Sequence, residues 1–370
     1  MLVSDKARRS MQKAGLALAL ALLAGMAMAG SEGQLDPAFG PAHNGMVSVA
    51  FNVSGGLYDI AQGAAMQSGG RIIVAGRVQN GASQIGMGVM RLDGRGYADS
   101  SFGGLGTGQT TVFLSQTAKV AGVLVQPDDR IILYGTTSAG GSSAFFAMRL
   151  LADGSAPDPA WNGDGLVTVV FPGMGVISTA AVMDTTGHLF LAGYTLAGTV
   201  TNGDFAVAKL GADGNLDSSF GRRTVAFDLG GDNADKAEAV ALQSDGKLVL
   251  AGEADIANTT SKFAVARLDA GSGALDSGFG NQAAGRSAVT IPGGFNGCLN
   301  QAAALSMYEV SSSQRTLLVG GTHCRFDVAA TAAVAALDNA GQLINNFGSG
   351  GVASAGIYPN LYQSGEITAM

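Results

Sequence analysis

Six times along the chain an aromatic residue closes a short acidic or small-residue turn: Phe39 in LDPAFG, Phe102 in ADSSFG, Trp161 in DPAWNG, Phe220 in LDSSFG, Phe279 in LDSGFG and Phe347 in INNFGS. The successive intervals are 63, 59, 59, 59 and 68 residues. A near-constant period of this length specifies one supersecondary unit used repeatedly, each copy covering the apolar face of its neighbour in a stacked or circular array. It constrains architecture strongly and chemistry weakly.

A glycine that ends an apolar run divides each unit, at Gly76, Gly135, Gly193, Gly252 and Gly320. From that glycine to the next aromatic the chain runs 26, 26, 27, 27 and 27 residues, whereas from aromatic to glycine it runs 37, 33, 32, 32 and 41. Length varies in one half only. Surface connections tolerate insertion and hydrogen-bonded strands resist it, so the variable half holds an exposed loop on the same side of every unit.

Four strands per unit are clearest in the third: LVTVVF (Leu166 to Phe171), STAAVM (Ser178 to Met183), HLFLAGY (His188 to Tyr194) and DFAVAKL (Asp204 to Leu210). The second and third are joined by a short Gly/Asp turn, Asp184 to Gly187, matched elsewhere by SGGR, PDDR and SDGK; such turns suit tight hairpins. The fourth strand ends in a similar turn, as at Asp93-Gly94, Asp153-Gly154 and Asp213-Gly214. The runs RIIVAG, RIILYG, HLFLAG, KLVLAG and RTLLVG are apolar on consecutive residues. A half-exposed strand alternates, so both faces of these sheets are buried. Four-stranded antiparallel sheets covered on both faces, at this period, predict an all-β fold, a β-propeller of about five full blades plus an incomplete one. The Ala- and Gly-rich strand opening each hairpin belongs nearest the axis, where space is least. A β-solenoid or a string of separate modules fits less well, because small independent modules need staples or exceptional cores.

The order LDSSFG, apolar strand, ALQSDGKLVLAGE, then FAVARLDA resembles the bacterial delta-60 repeat, over about Leu35 to Met370, with the closest copies at Lys209 to Gly221 and Gln243 to Gly252. The resemblance implies a secreted or surface β-propeller repeat protein with no common activity, and so no catalytic residues to transfer. The fifth repeat departs most: SSSQR replaces the DGK turn, an insertion precedes it, and both cysteines lie there.

Lys6, Arg8, Arg9 and Lys13 precede an uncharged stretch from Ala14 to Ala29 that closes in Ala27-Met28-Ala29. This is the order of a signal peptide over residues 1–29, followed by a mobile leader at 30–34 and a single repeat domain at 35–370. The expected location is the periplasm, the cell surface or the medium, by general or twin-arginine export. The apolar stretch falls short of the roughly 20 residues of a membrane span, so no span remains after cleavage. Without residues 1–29 the chain carries 17 basic and 27 acidic residues, a formal charge of −10. That balance excludes nucleic acid and anionic membrane as natural partners. Protein or polysaccharide partners remain, as does edge-strand pairing with another chain.

Cys298 and Cys324 flank a hairpin centred near residue 311, the mean of their own numbers. In an exported protein this predicts a disulfide worth about 3 kcal/mol. A metal held by the two cysteines with His323 and Asp327 is the rival reading, although its spacing matches no common zinc pattern. His43, His188 and His323 fall in separate repeats, and His188 takes a hairpin position held elsewhere by Arg71, Arg130, Lys247 and Arg315. Asp213 to Asp217 and Asn162 to Gly165 have some calcium-loop flavour but recur as ordinary turns without the terminal glutamate. Calcium is therefore the only cofactor left open and no metal site is assigned.

Blade geometry gathers the longer loops on one rim, whose polar residues are Tyr58, Asp59, Asp232, Asp235, Glu253, Asp255, Arg325 and Asp327. The leading expectation is an exported, noncatalytic binding or scaffold propeller using this rim. One alternative is a propeller hydrolase or lyase, which needs three or more of these acids to converge around a metal. The other is a fragment of a larger surface repeat protein. Gly365 to Met370 matches an innermost strand without its hairpin partner, and Val47 to Phe51 matches an outer strand without a preceding blade.

Overall fold

The computed structural model describes residues 34–355, apart from 52, 54–57, 197–202, 231–233, 258–259, 283, 293–299, 312–313 and 324–330. The signal sequence, both cysteines and residues 365–370 lie outside the described residues. So do Asp232, Arg325 and Asp327.

The chain divides into two compact units. The smaller comprises residues up to Val49 together with Gly94–Tyr97. Its described part is built of turns: Phe39 N–H donates to the Asp36 carbonyl at 3.0 Å, and Gly40 N–H to the Arg95 carbonyl at 2.8 Å.

The described residues of the larger unit form five four-stranded antiparallel sheets. In chain order they are β1 (Asp59–Gln67), β2 (Arg71–Gln79), β3 (Ile85–Leu92) and β4 (Gln109–Val112); β5 (Thr117–Val125), β6 (Ile131–Ala139), β7 (Ser142–Leu150) and β8 (Leu166–Val169); β9 (Gly175–Met183), β10 (Leu189–Leu196), β11 (Phe205–Leu210) and β12 (Arg222–Val225). The fourth has β13 (Lys236–Leu242), β14 (Lys247–Ala257), β15 (Thr260–Asp269) and β16 (Arg286–Val289); the fifth has β17 (Gln301–Ser311), β18 (Gln314–His323), β19 (Thr331–Leu337) and β20 (Val352–Ala355). These are the blades of a β-propeller. The sequence unit and the blade are out of phase by one strand, because Leu166–Val169, which opens the third unit, pairs with β7 of the second sheet. Residues 47–51 lie in no sheet.

Four apolar cores fill the four junctions between consecutive sheets. The middle strands contribute to both sides, which is why their sequences do not alternate: every residue of β11 is buried. Among the described residues no fifth core joins the last sheet to the first. Accordingly β1 is largely exposed, with Ile60 at 39% and Met66 at 60%.

The repeated aromatic is the lock between neighbouring blades. Phe102 leaves the first sheet and lays its ring where a β-carbon on Gly154, in the turn after β7, would overlap it. Trp161 does the same at Gly214 and Phe279 at Gly341. Each of these glycines also has positive φ, at 68°, 87° and 76°, so the position demands glycine twice over. A backbone hydrogen bond accompanies each ring: Gly103 N–H to the Asp153 carbonyl at 2.9 Å, Asn162 to Asp213 at 2.8 Å, and Gly280 to Ala340 at 2.9 Å. Gly40 and Phe39 make the same contact to Arg95 and Gly96 inside the smaller unit. At Phe220 the facing turn is longer, and side chains carry the bond instead, with Ser219 Oγ donating to Gly271 and Arg223 to Ser272.

Beneath the ring lies a repeated ion pair, Arg91–Asp99 at 2.8 Å, Arg149–Asp158 at 2.9 Å, Lys209–Asp217 at 3.0 Å and Arg267–Asp276 at 2.9 Å. Three of these cations stack on their aromatic, Arg267 most closely at 4.5 Å from Phe279, an arrangement that favours a flat guanidinium. In the fifth sheet Ala336 and Ile344 occupy the two positions, and the backbone bond between them, 2.9 Å long, is kept. Both charges are absent together, as expected where either alone would sit in a largely buried site.

Candidate functional site

Each innermost strand carries a β-bulge, between Ala61 and Gly63, Val120 and Gly122, Ser178 and Ala180, Ala237 and Ala239, and Ala302 and Ala304. Opposite each bulge sits a glycine whose β-carbon would overlap the carbonyl of the residue before it: Gly76, Gly135, Gly193, Gly252 and Gly321. The fifth such glycine is Gly321, one residue beyond the Gly320 selected from spacing, and the Gly-to-aromatic distance there becomes 26 residues. The same bulge shifts the β17–β18 ladder: its pairs centre on residue 312 from Glu309–Arg315 to Ala304–Gly320, then slip by half a residue at Ala302–Gly321. The symmetry about residue 311 used for the cysteine pairing is therefore offset, while the cysteines themselves lie outside the described residues.

A bulge pushes one extra residue out of the ladder and re-aims its side chain. Here those residues are Gln62, Ala121, Thr179, Glu238 and Ala303, and the first four line one cleft of about 380 Å3 between the innermost strands of the first four sheets. Next to them in each sheet is a cross-strand pair, Ile60–Arg77, Lys119–Thr136, Ile177–Tyr194, Lys236–Glu253 and Gln301–Thr322. Arg77, Lys119, Thr136 and Ile177 of this layer reach the cleft, with Ser178. A second hollow of about 440 Å3 opens on the rim between the second and third sheets, walled by Thr137, Ser142, Ser143, Thr168 and Phe171 without a charged group.

The rim residues named from sequence separate into two places. Tyr58, directly before β1, is exposed, and beside it Asp59 Oδ2 accepts the Phe51 N–H at 3.0 Å. Asp235 occupies the equivalent position in the fourth sheet and accepts the Phe227 N–H at 2.6 Å, but it is buried, with Oδ1 lacking a hydrogen-bond partner among the described residues. Burial, together with the nearby charges of Asp204, Asp228 and Asp255, pushes the Asp235 carboxyl up to about 7, against the opposing pull of the Phe227 bond. Asp204 is likewise raised by burial and by Asp228. Glu253, also buried, pairs through Oε1 with Lys236 Nζ at 2.7 Å. Asp235, Glu253 and Asp255 thus share the junction of the third and fourth sheets. Among the described residues, no three His, Cys, Asp or Glu side chains are disposed to hold a metal ion.

The turns with calcium-loop flavour close on themselves: Asp213 Oδ1 accepts the Asn215 N–H, Asp164 Oδ1 the Leu166 N–H, and Asp217 binds Ser219 and Lys209. His188 is a turn residue, its Nδ1 2.9 Å from Asp184 Oδ2. His323 is instead fully buried with Nδ1 2.7 Å from Asn300 Oδ1, and Asn300 also bonds Ser261 of the neighbouring sheet. The sequence reading missed Asp204, the Asn300–His323 pair and the bulge-lined cleft. A signal for the last existed: the residue after the hairpin glycine reads Arg77, Thr136, Tyr194, Glu253 and Thr322, polar in every repeat.

Three segments, residues 126–156, 186–220 and 243–279, match the model of a domain of unknown function (DUF5122) beta-propeller. This supports a propeller repeat family and agrees with the five sheets. No curated protein sequence matches the chain. Solved structures that resemble it include an exo-1,5-alpha-L-arabinanase from a bovine ruminal metagenomic library, at 13% identity over 78% of this chain and 94% of that one, TM-score 0.36. A Hadza microbial sialidase matches at 13% identity over 75% of this chain and 56% of that one, TM-score 0.44. A levansucrase mutant from B. megaterium matches at 10% identity over 77% and 82%, TM-score 0.38. At these values the likeness bears no functional argument.

Proposed function

We propose that the protein is an exported, noncatalytic propeller that acts as a binding or scaffold module in the periplasm or at the cell surface. It meets a protein or polysaccharide partner at the rim formed by the β6–β7 and β8–β9 connections and their counterparts. The observation that carries this reading is the employment of the carboxylates: Asp59 and Asp235 hold backbone N–H groups and Glu253 holds Lys236. Acid–base catalysis needs groups that converge on a substrate rather than on their own fold. Purified mature protein screened against ester, phosphate and glycoside substrates, with and without calcium, is expected to show no turnover.

A hydrolase or lyase reading has one specific observation in its favour, the Asp235 carboxyl held near 7 with an oxygen that has no partner among the described residues. Turnover that is abolished by Asp235→Asn and by Glu253→Ala, in protein that keeps its fold by circular dichroism, overturns the binding reading.

A further inference from the structure

The layer of cross-strand pairs at the bulges differs between sheets in its charge. The fourth sheet carries a cation facing an anion, Lys236 against Glu253 at 2.7 Å, so that layer is neutralised within the sheet. At the same position the first sheet places Arg77 opposite Ile60, and the second places Lys119 opposite Thr136. Two cations therefore enter one cleft without a carboxylate opposite them in the ladder, against the single carboxylate of Glu238 in its walls, and neither cation forms a hydrogen bond or ion pair among the described residues. Such a pair stands in a chain whose formal charge beyond residue 29 is −10, in which nine of the basic side chains among the described residues form ion pairs.

Ser178 supplies an independent observation. It lines the same cleft, is only 4% exposed, and its Oγ has no hydrogen-bond partner among the described residues although its N–H donates to Thr136 Oγ1 at 2.9 Å. An unsatisfied buried hydroxyl is destabilising, and turning the Ser178 Oγ, which is closed to solvent as placed, into the cleft would give it a ligand acceptor. Beyond the two cations the walls carry Gln62, Thr179 and Glu238, all able to accept from hydroxyl groups. A volume of about 380 Å3 lies within the range of small-molecule sites.

We propose that this cleft binds a small hydroxylated carboxylate of the sugar-acid class, with Arg77 and Lys119 on the carboxylate, Ser178 Oγ donating to it, and Gln62, Thr179 and Glu238 on the hydroxyls. The proposal rests on the binding reading, and the two fail separately: turnover overturns that reading, whereas silence towards sugar acids overturns this site. The test is calorimetric titration of the mature full chain with glucuronate, glucose and inorganic phosphate. Glucuronate is expected to bind in the millimolar range or tighter, and glucose about tenfold more weakly, since charge-assisted bonds exceed neutral ones.

Changing Arg77→Gln and Lys119→Gln together should weaken glucuronate binding by about tenfold or more, while Arg77→Lys with Lys119→Arg, which keeps both charges, should retain binding within roughly threefold. Ser178→Ala should weaken it by several fold. Both paired variants alter partly exposed side chains without internal partners, so an unchanged melting temperature certifies their folds. Three results overturn the proposal: no glucuronate binding at about 20 mM, equal binding by the Gln/Gln variant, or phosphate bound more tightly than glucuronate, which would assign the site to phosphate instead.

Discussion

At the scale of single residues, two positions show how local geometry converts into measurable free energy. Asp235 is a carboxyl raised to about 7 by burial and by neighbouring acids. Its folded state therefore keeps a proton that the unfolded chain releases near pH 4. Folding takes up that proton between about pH 4 and 7, so stability falls as pH rises through this window and levels off above it. Asp235→Asn, which retains an acceptor for the Phe227 N–H, should remove the decline, with an effect of about 1–4 kcal/mol between the two ends. Urea unfolding midpoints of both proteins at pH 4.5 and 7.5 check this; parallel pH dependence would refute it. The second position is Gly154, with φ of 68° and the Phe102 ring where a β-carbon would stand. Gly163 has φ of 88° but open space around it. Gly163→Ala should then cost about 1 kcal/mol from backbone conformation alone. Gly154→Ala should cost at least about 2 kcal/mol more, because the ring must leave its packed position. Equal denaturation midpoints would show that the ring yields freely.

At the scale of elements, the fifth sheet is a natural experiment on the other four. Ala336 and Ile344 stand where Arg91 and Asp99 stand in the first sheet, and the strand-to-turn hydrogen bond is the same length in both, 2.9 Å. Arg91→Ala alone strands a partly buried carboxylate and removes the stacking on Phe102, so it should destabilise by about 3 kcal/mol. Arg91→Ala with Asp99→Ile should recover most of that loss, and a double-mutant cycle by chemical denaturation measures the coupling. Additive losses would contradict the account. These elements also show what a linear pattern can and cannot reveal. The aromatic period, the buried middle strands and the small innermost strands all follow from side-chain pattern, since each records burial on one face or two. The phase of the blade does not, because whether Leu166–Val169 joins the hairpin before or after it is a choice of distant partner. The selection of Gly320 over Gly321 failed for a related reason: the bulge inserts a residue in the facing strand and leaves no mark in the spacing. Arg77 and Lys119 sit 42 residues apart in different repeats, and only the packing of sheet against sheet places them in one cleft.

At the scale of the whole molecule, compartment and covalent chemistry are one question. The run of Lys6, Arg8, Arg9 and Lys13, the uncharged stretch to Ala29 and the Ala27-Met28-Ala29 ending predict export with cleavage before Gly30. An exported chain meets oxidising conditions, and its two cysteines lie close beyond the ends of the β17–β18 hairpin, Cys298 three residues before Gln301 and Cys324 directly after His323. The last described pair of the ladder, Gln301–Thr322, is centred half a residue above the midpoint of the two cysteines, so the bond requires the ladder to end short of them. Edman sequencing of exported protein should give Gly30 first, and mass spectrometry of an unreduced digest should give one Cys298–Cys324 peptide with no alkylated thiol. The two readouts test different links. A mature start at Met1 with free thiols would place the protein in a reducing compartment and sink both; a start at Gly30 with two alkylatable cysteines would leave export standing and reject the bond. If the bond forms, its reduction should lower the unfolding midpoint by the equivalent of about 3 kcal/mol, since the closed span is 26 residues. The loss should appear first as exchange of amide protons in β17 and β18, because the fifth sheet has a described apolar core on one side only, against the fourth.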